Sequence, residues 1–320
     1  SSYYSIGDLD HVFNFTITYK SDSTIVADYK SFDSWPHLPF YFQYMEHFRA
    51  VFKRFQHDDP KQKILDEIRA KQRASTFTFW MVSNCLTTSN RETFVSELLA
   101  HLNVDIYGKC NRYFPPKFSK FSRVYMSSQA SELKHYKFYL SFENSFCKDY
   151  VTEKYWQFAA SSNIFDLHVV PIIRNSHKEP YETNAARMPV SYINANRFGS
   201  ARELAAYLHY LNENQTAYEE YFKWKLDLVD KFRRVATENG VVDDETSKEL
   251  NRTVFSRRKV DINELVMCQL CSILHNRTFL EENAKKKWTF SRWYNSKIDC
   301  SDAEHFSLKR KFLSLIGSCH

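Results

Sequence analysis

Glycine is scarce in this chain. There are five in 320 residues, at Gly7, Gly108, Gly199, Gly240 and Gly317, and no two lie near each other. Nucleotide sites that cradle phosphates on backbone N–H groups need clustered glycines. A Gly-rich phosphate loop is therefore excluded, and any nucleotide must be held by side chains. A run of about 20 apolar residues is also missing, so no membrane span is predicted. No signal peptide is present and the first residue is Ser1, so the sequence reads as a trimmed or partial chain. Internal repeats and low-complexity tracts are absent. Nothing in the motif pattern compels a metal.

A large excess of one charge is missing too. Forty-four basic residues face 38 acidic ones, a net charge of +6. The basic clusters, Arg257-Arg258-Lys259 and Lys285-Lys286-Lys287, are short and read as solvated surface. No nucleic-acid partner is expected. A modest positive balance suits an anionic small ligand such as a nucleotide diphosphate.

The hydrophobic share of 43% and charged share of 26% describe a globular chain long enough for one or two cored domains. Seven cysteines are present, at positions 85, 110, 147, 268, 271, 300 and 319. Four Asn-x-Ser/Thr sequons start at Asn14, Asn214, Asn251 and Asn276. Together they favour a glycosylated lumenal protein. Cys85 and Cys110 flank one predicted helix and form a plausible disulfide. Zinc at Cys268-x-x-Cys271 lacks a second ligand pair, so disulfide use of these two is the expectation.

Residues 12–19 alternate apolar and polar and predict a strand, with a turn at 20–23. Residues 30–60 read as irregular structure with one short helix. Residues 61–73 place Ile64, Leu65 and Ile68 at helical spacing and predict a linker helix. Strands follow at 77–82, 104–107, 136–142 and 169–173. A helix at 91–102 presents Phe94, Leu98, Leu99 and Leu102, and further helices are predicted at 201–212 and 216–235. Alternation of strands and helices argues for an α/β fold with a parallel sheet. Ligands in such sheets bind beyond the carboxyl ends of the strands, which directs attention to the loops starting at Ser83 and Glu143.

Residues 136–156 carry most of the chemistry: Tyr-Lys-Phe-Tyr-Leu-Ser-Phe-Glu-Asn-Ser-Phe-Cys-Lys-Asp-Tyr-Val-Thr-Glu-Lys-Tyr-Trp. This is a strand, a polar loop and a helix start that Thr152 could cap. Glu153 beside Lys154 offers an acceptor for a sugar hydroxyl and a cation for a phosphate. A surface loop followed by an ordinary charged helix turn is the alternative from pattern alone.

The stretch resembles the signature of the family 10 α1,3-fucosyltransferases: a Tyr-Lys-Phe strand, Phe-Glu-Asn-Ser, then Asp-Tyr-Val/Ile-Thr-Glu-Lys. Further resemblances follow in family order. They are Phe13-Asn14-Phe15-Thr16 through Tyr19 to Ser23, Val82-Ser83-Asn84 with Arg91, and Val104-Asp105-Ile106-Tyr107-Gly108. Tyr218 to Trp224 and Cys268-Gln269-Leu270-Cys271 complete the set. The similarity covers about residues 1–275.

The resemblance implies a GT-B fold of two Rossmann-like domains, the N-terminal one incomplete here. Residues 1–60 would end the acceptor-side domain, 61–75 form the linker helix, 76–235 bind GDP-fucose, and 236–320 form a C-terminal extension. It implies inverting transfer of L-fucose from GDP-fucose, in α1,3 linkage, to GlcNAc of a glycoprotein or glycolipid glycan. Arg91 and Lys154 are then expected on the diphosphate, Glu153 on the ribose and Tyr139 at the guanine. Val82, Ser83, Asn84, Asn144 and Tyr150 would complete the donor pocket. Read from the residues alone, Tyr139 could equally be core and Arg91 a helix-surface ion-pair partner. The resemblance implies no required cofactor and leaves Mn²⁺ stimulation open. It places the full-length enzyme in the Golgi lumen behind an N-terminal membrane anchor.

Departures from the family pattern matter as well. The family's general base is a Glu in a Glu-Ser-Pro-type segment, here expected N-terminal to residue 1. Where the family has Gly after the Val-Pro-Val-Val strand, this chain has Ile173-Arg174-Asn175. Its Asp-Asp-Phe appears as Asn196-Arg197-Phe198. Core α1,3-fucosylation of N-glycans and a non-catalytic glycan-binding paralogue on the same fold are the competing readings.

Overall fold

The computed structural model describes residues 15–18, 20, 23–26, 59–71, 76–120, 133–147, 150–152, 154–155, 168–174, 192–227, 229–230, 270–284, 289 and 300–301. The chain divides into two compact units, residues 1–56 with 227–299 and residues 57–226 with 300–320.

In the first unit, strands β1 (Ile17–Thr18) and β2 (Ile25–Val26) pair in parallel. Thr16 and Thr24 stitch them together: each backbone N–H donates to the other's hydroxyl, at 3.2 and 3.0 Å. The predicted strand at 12–19 is thus two residues long where it is described, and 12–14 and 19 lie outside the described residues.

The second unit begins with helix α1 (Pro60–Arg69). Asp59 caps it, accepting from Lys61 N–H at 3.2 Å, and Pro60 supplies a first-turn φ at no cost in hydrogen bonds. Ile64 and Ile68 are buried, and Arg69 forms a fork to Glu219 at 2.9 and 3.0 Å. The helix stops short of the predicted 61–73. Lys71 turns inward instead and donates to the carbonyl of Tyr136.

Five strands form one parallel sheet: β3 (Thr78–Met81), β4 (Val104–Tyr107), β5 (Phe138–Phe142), β7 (Val170–Arg174) and β8 (Ile193–Asn194). Their order is β4-β3-β5-β7-β8. Nearly every strand residue is buried, as a parallel sheet covered on both faces requires. One face carries an aromatic cluster of Phe79, Tyr107, Tyr136 and Tyr139, closed by Leu133 and Val169. The strand β8 was not predicted; two residues show no periodicity to read.

Helix α2 (Arg91–Leu98) follows β3, and α3 (Ala201–Glu213) and α4 (Gln215–Glu219) follow β8. Ser200 caps α3, accepting from Glu203 N–H at 3.2 Å. The long helix predicted at 216–235 is instead interrupted by a 3-10 turn at Glu220–Phe222. In α2, the buried face is Arg91, Glu92, Val95 and Leu98, with Phe94 and Leu99 only half-buried. Of the predicted apolar face Leu98 and Leu102 are buried, and two charged side chains drawn inward share that burial in place of Phe94 and Leu99. A short antiparallel pair, β6 (Phe146–Cys147) with β9 (Cys300–Ser301), sets Cys147 opposite Cys300, and Cys147 is disulfide-bonded.

Buried basic side chains gather around the starts of β5 and β7. Lys71, Lys137, His168 and Lys225 are each under 9% exposed. His168 Nε2 lies 2.9 Å from Glu67 Oε2, and Lys225 Nζ lies 3.3 Å from its Nδ1. An ammonium can only donate, so Nδ1 accepts and Nε2 carries the proton toward Glu67. Burial, reinforced by Lys225, pushes the imidazole pKa down to about 3 despite the hydrogen bond to Glu67.

Candidate active site

The order β4-β3-β5-β7-β8 reverses direction between β3 and β5, because β3 has β4 on one side and β5 on the other. Open parallel sheets bind ligands at this switch point, beyond the strand carboxyl ends. The loop after β3 (residues 82–90) and the segment after β5 (from Glu143) both start there.

Hydrogen bonds sew the two loops together. Ser89 N–H donates to the Asn144 carbonyl at 3.2 Å, and Ser89 Oγ donates to the Glu143 carbonyl at 2.7 Å. Thr88 Oγ1 lies 3.1 Å from Ser145 Oγ. Thr87 Oγ1 sits 3.0 Å from both Ser89 Oγ and the buried Glu92 carboxylate. Arg91, 2% exposed, spans the seam. Its Nη1 donates to the last carbonyl of β5, at Phe142, at 2.6 Å, and its Nη2 to Asn84 at 2.9 Å. Nε approaches Glu92 at 3.4 Å, and the guanidinium lies 5.7 Å from the Trp80 ring centre. Three of its five N–H donors are thus engaged. The segment just before this helix bends through Asn90 in the left-handed region (φ 53°), and Asn90 makes no side-chain cap bond. The first-turn N–H groups of α2 are left without that cap.

Across the seam, Glu143 is 1% exposed and acts as a staple. Its carboxylate accepts from Thr152 N–H at 2.8 Å and from Thr152 Oγ1 at 2.8–2.9 Å. Lys154 Nζ completes the group, 2.8 Å from Thr152 Oγ1 and 3.4 Å from Glu143 Oε2, with its side chain 18% exposed. Asn144 Oδ1 is buried with no hydrogen-bond partner. Such an orphaned acceptor is rare and marks a place where a donor is expected.

Val82 is buried and its N–H bonds the Tyr107 carbonyl at 2.9 Å, whereas Ser83 and Asn84 are exposed on the loop. The Cys85–Cys110 disulfide ties that loop to the turn after β4. Tyr150 is half-buried, and its N–H bonds the Cys147 carbonyl at 3.2 Å. Glu153 lies outside the described residues. Tyr139 is a member of the aromatic core, 2% exposed with its ring centre 4.9 Å from that of Phe79. This is the reading that the residues alone left open beside a guanine pocket. Sequence reasoning missed two residues. In the sequence Glu143 reads as one member of a polar loop, and Arg174 as a departure from the family pattern. Arg174 donates to the Ser89 carbonyl at 2.7 Å from the end of β7.

Elsewhere, Cys271 is an exposed free thiol, which corrects its expected place in a disulfide; it lies on a helical stretch over 270–275 with its side chain outward. Cys268 lies outside the described residues. Among the sequons, Asn214 caps α4 through Oδ1 (3.0 Å to Ala217 N–H) and donates from Nδ2 to Tyr210 Oη at 3.1 Å. Asn276 is exposed and caps the helix α5 (Arg277–Ala284) through Oδ1, 3.1 Å from Phe279 N–H. Asn14 and Asn251 lie outside the described residues. Among the described residues, no three His, Cys, Asp or Glu side chains gather as a metal site, and no helix is long and apolar enough to cross a membrane.

The profile of glycosyltransferase family 10 (fucosyltransferase), C-terminal part, matches residues 69–289, which contain the whole seam. The chain belongs to family 10. A Drosophila melanogaster protein, glycoprotein 3-alpha-L-fucosyltransferase A, is 32% identical over 287 residues, 89% of this chain and 42% of the relative. The Caenorhabditis elegans alpha-(1,3)-fucosyltransferase fut-1 is 39% identical over 148 residues, 46% of this chain and 31% of its own. Human 3-galactosyl-N-acetylglucosaminide 4-alpha-L-fucosyltransferase FUT3 is 30% identical over 217 residues, 68% of this chain and 48% of its own. The chain thus spans less than half the length of these curated relatives. A crystal structure of an alpha1,3-fucosyltransferase with GDP-fucose aligns at 20% identity and a TM-score of 0.38, over 65% of this family 10 chain and 60% of that one.

Proposed function

We propose that this chain carries the GDP-fucose-binding half of an inverting α1,3-fucosyltransferase whose acceptor is a glycan. The observation that carries the proposal is the Arg91–Phe142 bond at the β3/β5 switch point of a family 10 chain. It sets a buried cation and an uncapped helix start against the end of β5, and the next residue, Glu143, lies 3.4 Å from the Lys154 ammonium. Positive groups placed this way suit a diphosphate in a chain with no Gly-rich loop. In this reading Lys154 and the unengaged N–H groups of Arg91 meet the diphosphate, and Glu153 meets the ribose. Ser83, Asn84, Asn144 and Tyr150 line the rest, with Val82 setting the floor. The orphaned Asn144 Oδ1 takes a donor from the nucleotide sugar. The diphosphate leaves more easily for having these charges already in place.

The bounds proposed for the parts are those the resemblance implies: acceptor-side residues 1–60, donor-side residues 76–235, a linker over 61–75 that holds α1, and an extension from 236, in a GT-B arrangement. The enzyme works in the Golgi lumen behind a membrane anchor, glycosylated at sequons of which Asn276 is the exposed described example. No cofactor is required in this reading, and Mn²⁺ at most stimulates. The Drosophila relative is named for glycoprotein transfer and matches 89% of the chain, which favours a glycoprotein-borne acceptor. Core α1,3-fucosylation of N-glycans is the second reading on the same ground. Titration with GDP-fucose, GDP and UDP tests the donor half: the guanine nucleotides should bind and UDP should not. Equal binding of all three, or none, would reject it.

A further inference from the structure

Arg174 is the last residue of β7, and one side chain there touches three other elements. Its Nη1 donates to the Ser89 carbonyl at 2.7 Å. Its guanidinium carbon lies 4.7 Å from the ring centre of Phe94 on α2 and 4.9 Å from that of Phe146 on β6. Two rings at these distances hold a planar cation in a way that an ammonium could not match. Ser89 already spends its N–H on Asn144 and its hydroxyl on Glu143. Arg174 takes the carbonyl, so all three polar groups of Ser89 are fixed. Burial lowers the guanidinium pKa to about 10 against the opposing pull of Glu97 and Glu92, so the cation persists at neutral pH.

The loop that Ser89 anchors has little apolar content to hold it. Ser83, Asn84, Leu86 and Thr88 are exposed, and Asn90 is left-handed. The Cys85–Cys110 disulfide ties one end of the loop, and polar pins hold the stretch from Leu86 to Asn90. We propose that Arg174 is a positioning residue for the nucleotide diphosphate: it pins Ser89, and through it sets the 83–91 loop in its phosphate-binding shape. The inference rests on the donor-site reading above.

The test titrates wild type, Arg174→Met and Arg174→Lys with GDP and with guanosine, and follows amide hydrogen exchange over residues 83–92. Met fills the space between the rings but cannot donate. Arg174→Met should weaken GDP about tenfold, the order expected for losing a charged hydrogen bond, with guanosine affinity unchanged and exchange over 83–92 accelerated. Arg174→Lys, which keeps a donor but not the stacked plane, should fall between. Undiminished GDP binding by Arg174→Met, or parallel loss of GDP and guanosine, would overturn the proposal. Should Arg174→Met fail to fold, Arg174→Lys decides: weakened GDP with intact guanosine supports the role, and wild-type GDP affinity overturns it. Failure of the wild-type chain to bind GDP would instead overturn the donor-site reading and this inference with it.

Discussion

Arg91 donates from Nη1 to the Phe142 carbonyl at 2.6 Å, across 51 residues of sequence. The same guanidinium reaches Asn84 at 2.9 Å, so a single side chain links the end of β5 to the loop after β3. Both acceptors are backbone groups, and the arginine is 2% exposed. A buried cation satisfied this way is costly to remove, because each carbonyl loses a charged donor.

Arg91→Lys should therefore lower stability by about 2 kcal/mol, since one ammonium cannot reproduce a fork to two separate carbonyls. Urea denaturation measures it. GDP affinity should fall in the same variant, because the loop and the strand end are no longer held together.

Gly108 should not tolerate alanine. It follows β4 at φ 94°, and an added Cβ would run into the Val82 carbonyl oxygen. That carbonyl also accepts from Cys110 N–H at 3.2 Å. Gly108→Ala combines left-handed strain with a backbone collision, and a loss of about 2 kcal/mol or more is expected in the denaturation midpoint.

Strand positions were legible in the sequence where four or more buried residues stand together, as in Val104–Tyr107 before Gly108 or Phe138–Phe142. The loops that flank the β3/β5 switch point were legible as well, because strand carboxyl ends in a parallel sheet mark them. What was not legible is non-local. The residues alone leave Arg91 open as a helix-surface ion-pair partner, and only its bonds to the Phe142 and Asn84 carbonyls explain its burial. Arg174 read as an odd charge at a strand end, and its two aromatic faces come from α2 and β6. Glu143 read as one polar residue among three, although Thr152, nine residues on, turns back to fill its carboxylate.

Stability should fall with mild acid through His168. Its folded pKa is depressed to about 3, so the folded state stays neutral while the unfolded chain takes a proton near the ordinary 6.5. The stabilisation is thus present above about pH 6.5 and is lost progressively as pH falls toward about 3. Between about pH 7 and about pH 5.5 this one group should remove about 1 kcal/mol. Glu67, Lys225 and Lys71 surround it, so the check is the difference between wild type and His168→Gln. The variant should show the shallower pH profile over that interval.

Lys154 tests the central claim most directly. Its ammonium is held by Thr152 and Glu143 at 2.8 and 3.4 Å, with its side chain 18% exposed beside the β3/β5 switch point. Calorimetric titration of GDP into wild type and Lys154→Ala compares a donor site with and without this charge. The account predicts binding by the wild type and at least tenfold weaker binding by a folded Lys154→Ala, the scale of one charged hydrogen bond. Equal affinity in the two proteins would contradict it and take the diphosphate away from this ammonium.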